Sequence, residues 1–110
     1  MPHSKADHFH PTLFNQATWC KIQAHPARIK ILTYLNDHGT ANFHELNTYI
    51  PELSPVTVSQ HIRKLIDYKV ISIVYKYPKA VYQIESKVCY ILARLLDQLQ
   101  REFMNRMIYQ

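Results

Sequence analysis

A change of side-chain period at Lys69 constrains this chain more than any other feature. Before it, Val58, Ile62 and Leu65 recur at helical spacing and form one apolar stripe. After it, Ile71, Ile73 and Tyr75 alternate with Ser72, Val74 and Lys76, and a second short run, Ala80 to Ile84, follows Tyr77-Pro78-Lys79. Helical side chains repeat about every 3.6 residues and strand side chains every 2, so the chain must pass here from an amphipathic helix into an extended pair. The Tyr77-Pro78-Lys79 stretch between the two runs makes that pair a β-hairpin with a basic tip.

Upstream the pattern is helical throughout. Residues 1–11 read as a polar tail carrying His3, His8 and His10. From Thr12, Leu13, Phe14, Ala17 and Cys20 fall on one side of a first helix. His25-Pro26 ends it, because a residue before proline avoids the α region, and Pro26 suits the first turn of a second helix reaching about Asp37. In that helix Ile29, Ile31, Leu32 and Leu35 form the apolar set, and Gly39, the single glycine of the chain, suits the positive-φ cap after it. Asn42 with Glu45 three residues on predicts a capping box at the start of a third, short helix that ends before Pro51. Ser54 as N-cap and Pro55 at the first position begin a fourth helix. A long last helix runs from about Ser86. The fold class is therefore mainly α with a β-hairpin wing, in the order α-α-α-α-β-β-α: a winged helix-turn-helix. With 110 residues the chain has room for one such domain, over residues 12–110.

Charge points to the partner. The formal net charge is +5, and residues 54–79 hold five basic side chains (Arg63, Lys64, Lys69, Lys76, Lys79) against one acidic, Asp67. Basic charge gathered on one helix and its wing is the electrostatic footprint of a nucleic-acid binder, here double-stranded DNA. With Val58, Ile62 and Leu65 inward, Val56 and Thr57 can meet a thymine methyl, Gln60 can pair with adenine, and Arg63 can reach guanine. Ser54, Ser59, His61, Lys64, Lys76 and Lys79 are the candidates for phosphate contact.

The stretch Ser54-Pro55-Val56-Thr57-Val58-Ser59-Gln60-His61-Ile62-Arg63-Lys64-Leu65 resembles the recognition helix of the ArsR family of winged-helix repressors, departing from its Ser-x-x-Thr-Val-Ser-x-His-Leu-x-x-Leu pattern only at Ile62. His25-Pro26-Ala27-Arg28-Ile29-Lys30-Ile31-Leu32 resembles the family's second helix. The resemblance spans about residues 13 to 100 and implies a homodimer formed by the first and last helices. Its candidate interface residues are Leu13 and Ala17 on the first helix and Val88, Ile91, Leu92, Leu95, Leu99 and Phe103 on the last. The last helix also argues for a partner by itself, since so long an apolar stripe exceeds what its own wing can cover. A two-fold dimer sets its recognition helices about 34–36 Å apart, one turn of DNA, and calls for a roughly palindromic site.

The metal sites familiar in that family lack their ligands here. Asn42-Phe43-His44 stands where a Cys-x-Cys pair is found, and no histidine follows His61 along the last helix. No metal or cofactor is expected, and no effector is legible. Cys20 and Cys89 fall on the two helices that the resemblance places at the dimer interface, which makes them candidates for a thiol switch; the plainer alternative is two inert buried thiols. An enzyme is not expected: one glycine allows no phosphate-binding loop, and no nucleophile or carboxylate clusters with the histidines. No apolar run reaches membrane length and no signal peptide opens the chain, so a cytoplasmic location is expected. The rival function is a winged helix that binds protein rather than DNA, suggested by Tyr75 and Tyr77 in the wing and opposed by its lysines.

Overall fold

The computed structural model describes residues 14–109, so Leu13 and the histidine-bearing tail lie outside the described residues. The elements are α1 (Gln16–Gln23), α2 (Pro26–His38), β1 (Thr40–Asn42), α3 (Phe43–Tyr49), α4 (Pro55–Asp67), β2 (Ile71–Tyr75), β3 (Val81–Ile84) and α5 (Ser86–Tyr109). They form the winged helix-turn-helix predicted from the sequence, with one strand more.

Local chemistry sets the boundaries. Asn15 caps α1, its Oδ1 accepting the Thr18 N–H at 2.9 Å. Asn42 and Glu45 complete the predicted capping box, each side chain accepting the other's backbone N–H, at 2.8 and 2.9 Å. Ser54 caps α4 through the Thr57 N–H, with Pro55 at the first position. Gly39 closes α2 at φ 87°, donating its N–H to Leu35 O at 2.8 Å. Open space surrounds the point where a Cβ would sit on Gly39, so the requirement there is conformational and not steric. Gly39→Ala should therefore destabilise the fold by about 1–2 kcal/mol, the cost of a left-handed backbone for a residue with a Cβ. A urea midpoint unchanged by the substitution would contradict this.

The strand missing from the sequence reading is β1. It pairs antiparallel with β3 (Thr40 with Gln83, Ala41 with Tyr82, Asn42 with Val81), giving a three-stranded sheet in the order β1-β3-β2. Three residues between a helix cap and the next helix are too few to display alternation, and the partner lies some 40 positions away. The wing also departs from simple alternation. A register shift between Ile73 and Tyr75 breaks the β2–β3 ladder, and of the alternating Ile71, Ile73 and Tyr75 only Ile71 is buried, while Ile73 and Tyr75 are exposed.

The core is a single cluster. Ile22 of α1, Ile31, Leu32 and Leu35 of α2, Leu46 of α3, and Val58, Ile62 and Leu65 of α4 meet Ile71, Ile84 and the first half of α5. Each fully buried aliphatic side chain contributes about 1.5–3 kcal/mol. Here the expected dimer face needs correction. Val88 and Leu92 are only 3% and 0% exposed within the single chain, so they belong to its own core and are not free for a partner.

Candidate nucleic-acid interface

Helix α4 presents two contrasting sides. Val58, Ile62 and Leu65 are buried, while Val56 (67% exposed), Ser59, Gln60, Arg63 and Lys64 face outward. The backbone of this helix is anchored at its N-terminus by the Ser54 cap and along its inner face by the core, so the outward side chains sit on a rigid rod. Thr57 is half-buried, and its Oγ1 lies 3.0 Å from Ser54 Oγ, which ties both hydroxyls into the cap and leaves the Thr57 methyl as the part able to meet a base. The wing tip, Tyr75-Lys76-Tyr77-Pro78-Lys79, is exposed throughout, with Tyr77 at 86%.

His61 does not share that outward side. It is partly buried, its Nδ1 accepts the Arg28 Nε–H at 3.1 Å, and its ring faces that of His25 at 5.2 Å. Burial, then the Arg28 charge, then His25 hold it below the ordinary histidine value of 6.5 and favour the neutral ring. The nitrogen turned to α2 is an acceptor, so any phosphate contact by His61 falls to Nε2.

Arg28 is the residue that sequence reasoning missed. It is 7% exposed, and Nη1 donates to Lys21 O (3.1 Å) and to the Tyr68 hydroxyl (3.0 Å) while its guanidinium lies over the Tyr68 ring. Among the described residues no carboxylate pairs with it. The signal was present, because Arg28 stands one turn before Leu32 and two before Leu35, on the buried stripe itself.

The second surface to locate is the expected dimer face. α1 and α5 flank one groove, lined by Gln16, Trp19 and Gln23 on one side and Leu95, Gln98 and Leu99 on the other. Ala17 and Ile91 are exposed, Leu95 and Leu99 half-buried, and Phe103 60% exposed. Cys20 and Cys89 are both exposed, which corrects the alternative of buried thiols. They line different surfaces: Cys20 lies beside Gln16, whereas Cys89 borders a groove with Leu35, Asn36 and Gln83 to which α1 contributes nothing.

No protein-family model matches the sequence, and no curated protein does. Solved structures do. The transcriptional repressor PagR of Bacillus anthracis is 34% identical, over 72% of this chain and 90% of its own, with a TM-score of 0.58. Rv0081 of M. tuberculosis is 27% identical over 84% and 92%, with a TM-score of 0.66. An ArsR family transcriptional regulator shares the fold at a TM-score of 0.55 and 22% identity, over 78% of this chain and 86% of its own. The chain belongs to the ArsR family.

If the outward side of α4 reads bases and the wing holds phosphate, variants of the two should behave differently. Gln60→Ala and Arg63→Ala should each weaken binding to the preferred duplex by about 1–3 kcal/mol and relax its sequence preference. Lys76→Ala and Lys79→Ala should weaken binding to all duplexes alike. Fluorescence anisotropy on preferred and scrambled duplexes separates the two classes; equal, sequence-independent losses in all four variants would show the base readers to be misassigned.

Proposed function

We propose that this ArsR-family protein is a transcriptional repressor that binds a roughly palindromic DNA site as a homodimer, with α4 of each subunit in the major groove and each wing against the flanking backbone. The observation that carries the proposal is α4: a buried aliphatic side locks it in place, and its free side offers Val56, Gln60, Arg63 and Lys64 beside a lysine-bearing wing tip. Ser54, Ser59, Lys64, Lys76 and Lys79 are the proposed phosphate contacts, and Val56, Thr57, Gln60 and Arg63 the proposed base readers. The similarity to PagR, a transcriptional repressor, supports the sign of regulation.

The proposed dimer surface is the α1–α5 face, with Ala17, Ile91, Leu95, Leu99 and Phe103. Among the described residues no helix is long and apolar enough to cross a membrane, in keeping with a cytoplasmic regulator. The thiol reading narrows to contacts between subunits, because Cys20 and Cys89 line different surfaces of one chain. The decisive experiment is selection of bound sequences from random duplex DNA, repeated with and without reductant and added metal ions. Recovery of two inverted half-sites one helical turn apart supports the proposal. Retention of no sequence at any condition favours the protein-binding alternative.

A further inference from the structure

Three side chains and a backbone carbonyl meet behind the recognition helix. Arg28 of α2 reaches His61 of α4, the Tyr68 hydroxyl just past the end of α4, and the carbonyl of Lys21 in α1. One guanidinium thus ties α4 at its middle and at its end to α1, a helix of the proposed dimer face. The tie has an unusual composition. Arginine carries donors only, and in place of a carboxylate its partner on α4 is a neutral imidazole nitrogen.

We propose that Arg28 and His61 form a proton-sensitive latch that positions the recognition helix, so that acid pH releases α4 and lowers DNA affinity. The chemistry is that of a lone pair. When His61 takes up a proton at Nδ1 the acceptor becomes a donor, and two N–H groups bearing like charge face one another across 3.1 Å. The two groups that act on His61 through their charge, Arg28 of α2 and His25 at its N-cap, both disfavour a proton on it. From α1 the Lys21 ammonium lies 5.6 Å from the Tyr68 ring, and the Tyr68 hydroxyl, just past α4, accepts from Arg28. Among the described residues no Asp or Glu forms an ion pair in this cluster that would hold a protonated His61 in place.

The sign follows from linkage. A histidine whose folded-state value lies below 6.5 stabilises the latched form above that pH, and the stabilisation is lost as pH falls through the folded-state value. Protonation of histidines at a DNA surface ordinarily has the opposite effect, since added positive charge strengthens contact with phosphate. The direction of the pH response therefore discriminates between the two roles.

The inference rests on the DNA-binding reading, and its test uses the intact protein and the duplex recovered by selection. Affinity is measured from about pH 7.5 to about pH 5.5, the range in which histidine changes charge. The wild-type protein should lose roughly fivefold to tenfold in affinity across that range. His61→Asn, whose amide oxygen can accept from Arg28 without titrating, should bind normally at the upper pH and lose nothing at the lower. A rise in wild-type affinity at acid pH that disappears in His61→Asn overturns the proposal and makes His61 a phosphate contact. An equal loss in both proteins overturns it too. A second measurement needs neither variant nor DNA. In an NMR titration of the wild type, the amides of Gln60, Arg63 and Tyr68 should shift in step with the His61 ring; amides that ignore its protonation refute the latch. If no duplex is recovered near pH 7.5, the DNA reading fails and this titration alone decides the latch.

Discussion

Phe103→Glu is expected to give a folded monomer that has lost most of its affinity for DNA. Phe103 is 60% exposed and lies beyond the buried part of α5, whose core contacts end at Val88, Leu92 and Leu96 with Leu95 and Leu99 packed at their margin. A carboxylate there costs the isolated chain little. In the proposed dimer it would be buried against the apolar side chains of a second copy, at a cost of several kcal/mol unless it protonates or the helices part. Linking two half-site contacts raises overall affinity by about 10²–10⁴ over one, so a monomer should bind the selected duplex roughly 100-fold more weakly or worse. Sedimentation should show half the mass, and circular dichroism a helix content like that of the wild type. An unchanged dimer would remove the end of α5 from the interface.

Salt should have an effect at least as large. Arg63, Lys64, Lys69, Lys76 and Lys79 are all exposed, and a two-fold dimer doubles the set. If about 6–10 of these neutralise phosphates, affinity falls by roughly 10³–10⁵ between about 50 and 200 mM salt as counterions are released. Lys76→Ala should lower the slope of log affinity against log salt, by about 2 for a dimer that carries the change in both wings. Affinity that barely responds to salt would place the basic charge outside the interface.

The contrast between what the sequence discloses and what it hides is physical. The starts of α3 and α4 were legible because capping is local: Asn42 and Glu45, or Ser54 and Pro55, satisfy backbone groups within their own turn. The inward set of α4 was legible because Val58, Ile62 and Leu65 recur at i, i+4 and i+7. β1 was hidden because its hydrogen bonds are made to β3, far along the chain. The single apolar stripe of α5 serves two purposes, core for Val88 and Leu92, free surface for Ile91 and Phe103, and only the packed fold separates them. Among the candidate DNA contacts, His61 lies at the edge of the helix between the two sides, where a few tens of degrees and one arginine decide its direction. Arg28 was passed over because a charge on a buried stripe reads as a break in the pattern until its acceptors are seen.

The central claim, that the outward side of α4 reads DNA sequence, is tested most directly by repeating the random-duplex selection with Gln60→Ala and Arg63→Ala. The wild-type protein should recover two inverted half-sites centred about one helical turn apart. Each variant should recover the same arrangement with sequence preference lost at one symmetric pair of positions, a different pair for each. Variants that recover the wild-type sequence unaltered would contradict the assignment of α4 as the reader.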